Sequence, residues 1–202
     1  MLSANPLVIV AEGFLPPAAC SGLIALASGK TTRAETGTDE AVLEVTDERT
    51  NTAFDLPPSA SPRAAEVMQS LAAVLRLPVS HGEGLSILHY QTGERFTPHV
   101  DGIWSGAAPE ARDAFEADGG QRLFTAMVYL NEVEDGGGTA FPKLDLLVPP
   151  APGRLLIFAN TRAGERDVTP LAIHEGQAVK RGEKWAAVSW WRERPYGEGR
   201  EE

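Results

Sequence analysis

From Leu85 to Arg192 the chain is a succession of short apolar segments, each closed by Gly, Pro, Asn or Asp, and no other feature restricts its fold as strongly. Candidate strands are Leu85 to Tyr90, Phe96 to Asp101, Leu123 to Leu130, Asp145 to Val148, Leu155 to Ala159 and Lys184 to Arg192. Strands of this length between turn-rich segments imply an antiparallel sandwich or barrel. The helices come earlier. From Pro16 to about Ser28, Ala19, Leu23, Ile24 and Ala27 recur at helical spacing. Ser61 is a candidate N-cap with Pro62 at the first helical position, followed by a stripe of Ala64, Val67, Met68, Leu71 and Leu75 that Pro78 stops. Helices first and strands afterwards give an α+β, mainly β, architecture: a jelly roll braced by N-terminal helices. With 202 residues, 43% of them hydrophobic, there is material for one core. The expected organisation is therefore a single domain over 1–202, with 1–80 as helical and strand support and 81–196 as the jelly-roll core. The glycines of Asp135 to Gly138 are not followed by Gly-Lys-Ser/Thr, so they read as a turn rather than a phosphate cradle.

Charge removes several classes of partner. Asp and Glu outnumber Lys and Arg by 28 to 18, a formal net charge of -10, which opposes contact with a phosphate backbone. Nucleic acid is not expected as a partner. The single cysteine, Cys20, closes no intramolecular disulfide and reads as a small buried helix residue. No basic region precedes the apolar run in Met1 to Gly13, and no apolar stretch is long enough to span a bilayer. No membrane association and a cytoplasmic location are the expectations; the oligomeric state is left open.

Chemistry begins at His99-Val100-Asp101. Residues two apart in an extended segment project from one face, so one strand supplies an imidazole and a carboxylate aimed at one point. A second histidine from elsewhere would complete the two-histidine, one-carboxylate triad of non-haem iron oxygenases. Of the remaining histidines, His81 lies in a Gly-rich turn and His89 points opposite to Tyr90, whereas His174 stands just before the final strand and is the expected third ligand. An HxD pair by itself is as readily a surface histidine beside a carboxylate. Its weight comes from the C-terminal segment, in which His174, Gly176, Val179, Gly182, Lys184 and Trp190 fill the pattern H-x-G-x-x-V-x-x-G-x-K followed by Trp six residues on.

That pattern resembles the C-terminus of the prolyl 4-hydroxylase-like branch of the 2-oxoglutarate/Fe(II) oxygenase superfamily. Tyr90 to Asp101 is similar to the family's strand leading into its HxD pair. Phe124 to Asn131, continuing through Glu132 to Pro142, is similar to its "YLNDVEEGGET.FP" segment. Arg49-Thr50-Asn51 resembles its Arg-Thr-Ser element, with Asn in place of Ser. The likeness covers residues 49 to 196 in order.

The resemblance implies a double-stranded β-helix whose open end holds Fe(II) on His99, Asp101 and His174, leaving positions for 2-oxoglutarate and O2, with ascorbate as a further candidate reductant. It makes Lys184 the partner of the distal carboxylate of 2-oxoglutarate; the competing reading is a lysine whose head reaches solvent. Tyr90, Thr125, Met127, Tyr129 and Trp190 match positions lining the cosubstrate pocket, although a sheet core uses the same alternation. Trp185 and Trp191, on the opposite face, read as packing. Two elements bear on the acceptor. Trp104 opens an acidic segment, Gly102 to Gln121, which reads as a loop or lid with a helical turn. Arg49 would hold a substrate carboxylate or carbonyl, or else anchor its own strand through an ion pair. The implied reaction is hydroxylation of a prolyl residue in a peptide or protein; a free amino acid or other small metabolite is the second reading, and a catalytically silent binding or sensing fold the third. Asp101 argues against halogenation, which needs that carboxylate absent.

Overall fold

Alternation along four strands, Leu85–Tyr90, Arg122–Tyr129, Leu155–Ala159 and Lys184–Arg192, sends apolar side chains to both faces, so these strands must be covered on both sides. The computed structural model, which describes residues 1–37 and 43–197, makes them the middle of an eight-stranded sheet. Its order is Ser3–Ala4, Leu7–Ala11, Leu155–Ala159, Arg122–Tyr129, Lys184–Arg192, Leu85–Tyr90, Thr52–Leu56 and Thr32–Arg33, with every pairing antiparallel.

One face of this sheet carries Ile87, Ala126, Val128, Ile157, Trp185, Ala187 and Trp191, and it packs on helices α1 (Pro17–Ala27) and α2 (Pro62–Leu75) through Leu23, Met68 and Leu71. Helix α2 starts where Ser61 accepts a hydrogen bond from the Arg63 amide at 3.2 Å, and it stops at Arg76, whose φ of 56° is left-handed. The other face, with Leu88, Tyr90, Met127, Tyr129, Leu156, Phe158, Ala186 and Val188, meets Phe141 and Val148 of a four-stranded sheet. That second sheet runs Leu146–Val148, Thr139–Phe141, His174–Gly176, Phe96–His99. The result is a jelly-roll sandwich with helices bracing its outer face.

Several strands lie where the sequence shows no alternation. Leu7–Ala11 pairs with Leu155–Ala159, and Thr52–Leu56 with Leu85–Tyr90, partners too distant in the chain for a local pattern to signal. Phe96–His99 ends two residues sooner than expected, because pairing with His174–Gly176 runs out at the His174–His99 register and the chain bends through Asp101. Asp145 adopts a φ of 52° and falls outside the strand that follows it. Asp135–Gly136, expected as part of a turn, pairs with Val179–Arg181; Gly136 sits at φ 79° with Ala178 O 2.3 Å from where a Cβ would be, so no other residue fits.

Candidate metal centre

The cross-strand pair His174–His99 at the end of the smaller sheet sets two imidazoles side by side, with ring centroids 4.3 Å apart. Asp101, just past the strand end, turns its carboxylate between them: Oδ1 lies 3.7 Å from His99 Nε2 and Oδ2 lies 3.5 Å from His174 Nε2. One donor atom from each residue falls within 4.8 Å of the others.

Protonation states make the cluster informative. His99 Nδ1 lies 2.7 Å from Thr97 O and His174 Nδ1 lies 3.0 Å from Ala172 O. A carbonyl only accepts, so each Nδ1 carries a proton and each Nε2 faces inward, toward Asp101. Burial and the adjacent His174 push His99 down to about 3, so it is neutral at ordinary pH. For Asp101 burial acts upward, but His174, His99 and the Thr125 hydroxyl outweigh it and hold the carboxyl below its usual range. Two imidazole Nε2 atoms and a carboxylate thus face one point, with His99 neutral. Two imidazoles and a carboxylate are the donor set of an Fe(II) oxygenase site, and their second nitrogens are already fixed by backbone carbonyls. The ring of Phe96 stacks on His99 at 3.5 Å and fixes its plane.

A cavity extends from this cluster between the sheets, walled by Tyr90, Met127, Val188 and Trp190 and closed by Lys184. Lys184 is 2% exposed, and among the described residues its ammonium has no hydrogen bond or ion pair. The faces of Tyr90 and Tyr129 lie 4.8 and 5.3 Å from Nζ. Such contacts contribute about 2 kcal/mol when desolvated, against several kcal/mol for burying the ion, so they do not stabilise the charge by themselves. Burial pulls Lys184 down to about 7. An anion entering the cavity would restore the charge.

The expected site residues divide. His99, Asp101, His174, Tyr90, Thr125, Lys184, Trp190 and Arg49 all line this cavity. Tyr129 does not: its hydroxyl is engaged within the core, donating to Val148 O at 2.9 Å and accepting from Thr139 Oγ1 at 2.8 Å, which leaves its ring beneath Lys184. Trp104 is 37% exposed and also stands outside the cavity. Arg49 makes no ion pair among the described residues; its Nε donates to Asn51 Oδ1, its Nη1 to Glu35 O, and its guanidinium lies over Phe96. The other histidines are engaged elsewhere, His81 with Arg192 O and His89 stacked on Trp185 and paired with Glu183.

Gly102 to Gln121 contains more order than a loop with a helical turn. Helix α3 (Pro109–Ala117) forms within it, and Gln121, Ser105, Arg166 and Arg194 tie the segment down through Ile103, Asp167 and Glu116.

Sequence reasoning missed Glu83, Arg122, Asn160 and Arg192. Glu83 accepts from Arg122 Nε and Nη2 at 2.6 and 2.7 Å and from Arg192 Nε at 2.6 Å, and Arg122 Nη1 donates to Asp101 O at 3.1 Å. The available signal was two arginines at the ends of paired apolar strands, which need a counter-charge if buried. Asn160 continues the parity of Leu156 and Phe158 one residue past its strand, toward the cavity.

A family model described as the 2OG-Fe(II) oxygenase superfamily matches residues 85–192. Probable prolyl 4-hydroxylase 6 of Arabidopsis thaliana is 32% identical, over 97% of this chain and 72% of the relative. In fold, the chain is similar to a viral collagen prolyl hydroxylase from Paramecium Bursaria Chlorella virus-1 in its 2OG complex (TM-score 0.71, 24% identity, 91% of this chain and 94% of that one). It is also similar to a prolyl hydroxylase from Trichoplax adhaerens in complex with a hypoxia inducible factor oxygen degradation domain peptide fragment (TM-score 0.63, 18% identity, 92% and 83%).

Proposed function

This chain belongs to the 2OG-Fe(II) oxygenase superfamily, and we propose that its acceptor is a prolyl residue of a peptide or protein. It is a dioxygenase using Fe(II), 2-oxoglutarate and O2. The observation that carries the reading is the cavity itself, with the side chains of His99, Asp101 and His174 converging at one end and, at the other, an ammonium that no carboxylate among the described residues meets. That pairing suits a metal chelated by a dicarboxylate. The prolyl acceptor is supported by the relatives named prolyl 4-hydroxylases and by the peptide bound to the Trichoplax adhaerens protein.

When bound, iron with 2-oxoglutarate and O2 supplies the oxidising power to hydroxylate an unactivated carbon, releasing succinate and CO2. The protein does the placing. His99, Asp101 and His174 would hold the metal, and Lys184 would take the distal carboxylate of 2-oxoglutarate. Burial pushes the Tyr90 phenol up to about 12, so it stays a neutral hydroxyl beside an anionic guest. Leu88, Met127, Phe158 and Val188 keep that part of the cavity dry. Arg49 is held through Nε and Nη1, and its Nη2, which has no hydrogen-bond partner among the described residues, would meet an acceptor carbonyl. The lone buried Cys20 supports the cytoplasmic setting that belongs to the same proposal.

The test incubates the Fe(II)-loaded protein with 2-oxoglutarate, with and without ascorbate, against proline-containing peptides and free amino acids. Gain of one oxygen on a peptide proline, read by mass spectrometry and matched by succinate, is the expected result. Oxygen appearing only on free amino acids would overturn the prolyl-peptide reading while leaving the oxygenase; neither succinate nor oxygen transfer would overturn both.

A further inference from the structure

Asp101 is held by groups that no acceptor or cosubstrate would need. Thr125 Oγ1 lies 2.6 Å from Asp101 Oδ2, and Asn160 Nδ2 lies 3.1 Å from Thr125 Oγ1. The directions are forced. A carboxylate has no proton to give, so the single hydroxyl proton of Thr125 goes to Oδ2, and Thr125 can then only accept from the amide of Asn160. Asn160 is completely buried, and facing its NH2 to Thr125 leaves its own Oδ1 without a partner. Buried polar groups are ordinarily paired, so stability alone disfavours this residue here. On the main-chain side, Arg122 Nη1 donates to Asp101 O while Glu83 grips Arg122 in a fork. Among the described residues, Asp101 Oδ1 accepts no hydrogen bond.

The geometry points to Thr125 as a positioning residue of the metal centre: aimed by Asn160, its hydroxyl pins Oδ2 and thereby leaves Oδ1 as the oxygen offered to the cation. This rests on the reading that His99, Asp101 and His174 hold Fe(II). It adds to the role that the sequence pattern suggested for Thr125, which lines the cavity, that of supporting a ligand. The arrangement is that of an outer partner orienting a ligating carboxylate, whose removal typically lowers metal affinity.

Mn(II) is the probe, titrated into the wild-type protein, Thr125→Val and Thr125→Ser with free Mn(II) read by electron paramagnetic resonance. Valine keeps the shape and loses the donor; serine keeps the donor. Thr125→Val should weaken Mn(II) binding about ten- to a hundred-fold, with Thr125→Ser restoring it to within about threefold of wild type. The Michaelis constant for 2-oxoglutarate, measured at saturating Fe(II), should be unchanged in both. Unchanged Mn(II) affinity in Thr125→Val, or a raised constant for 2-oxoglutarate at unchanged metal affinity, would overturn the assignment. If Thr125→Val does not fold, by circular dichroism, Asn160→Ala carries the test: it keeps the hydroxyl but loses its aim, and should weaken Mn(II) about threefold. No change there would equally overturn it. A wild-type protein that takes up no metal would sink the oxygenase reading, and this proposal with it.

Discussion

Lys184 brings a charge into a cavity where, among the described residues, two aromatic faces and no carboxylate meet it, and the consequences are measurable at that one residue. Cutting it back in Lys184→Ala removes a charge-assisted contact worth roughly 1.5 to 3 kcal/mol, so the Michaelis constant for 2-oxoglutarate should rise about ten- to a hundred-fold while metal affinity stays put. Lys184→Arg should be milder. Because the free lysine titrates near 7, binding a dicarboxylate selects its protonated form. Affinity for 2-oxoglutarate should therefore fall as pH rises above about 7, and calorimetry in buffers of different ionisation heat should show proton uptake on binding. A pH-independent affinity would mean that the anion meets another cation. Replacing His99, Asp101 or His174 by Ala should remove metal binding and leave the metal-free protein folded, because each contributes a lone pair rather than core packing. Full Fe(II) affinity in any of the three, by anaerobic titration, would remove it from the site.

At the scale of elements, helix α3 and its flanks are tied down by contacts within the chain itself. Arg192 Nη1 donates to Phe115 O and Gly120 O, and the ring of Phe115 lies under both Arg122 and Arg192. The amides of α3 should accordingly be protected from hydrogen exchange without substrate; exchange at the rate of an open loop would restore the lid reading. The same junction predicts a contrast between two carboxylates. Glu83, with a side chain only 8% exposed, is shared by two guanidiniums, and Glu83→Gln breaks a buried ionic network, at about 3 to 5 kcal/mol in denaturant unfolding. Glu116 also pairs with two arginines, but it stands in solvent, so Glu116→Ala should cost about 1 kcal/mol or less. Equal costs would show that burial does not govern these pairs.

For the whole molecule, His99, Asp101 and Lys184 act in one direction. An unfolded chain protonates His99 below its ordinary 6.5, whereas the fold keeps it neutral down to about 3, so the unfolded state binds more protons across that window and stability falls as pH drops through it. Asp101, held low in the fold, adds to the loss in acid. Lys184 continues the trend upward: the unfolded chain keeps its proton to 10.5 and the folded one loses it near 7, so stability rises with pH between those values. The metal-free protein should melt higher at about pH 9 than at about pH 5, and Lys184→Met should lose the part of the rise above about pH 7. Calorimetric scans in which wild type and variant run parallel there would show that the lysine is not depressed.

How much of this was legible in the chain follows from the range of the forces involved. Period-two alternation is local, so the four central strands, the faces of Trp185, Trp190 and Trp191, and the side on which Lys184 falls were all readable from spacing. The capped start of α2 was readable for the same reason. The motif from His174 to Trp190 carried enough chemistry to place a third ligand beside His99 and Asp101 before any distance was known. What spacing could not supply was partnership across the chain. Leu7–Ala11 becomes a strand only because Leu155–Ala159 offers it an edge. Tyr129 has pocket parity, yet Thr139 and Val148 take its hydroxyl. Thr125 has the parity of a pocket wall, and it is Asn160 and Asp101, neighbours brought in by the fold, that make it a support for the carboxylate. The sequence by itself determined which residues share a face; the tertiary structure decided which polar atoms meet, because hydrogen bonds at a buried site are settled by three-dimensional neighbours over a few ångströms and not by position along the chain.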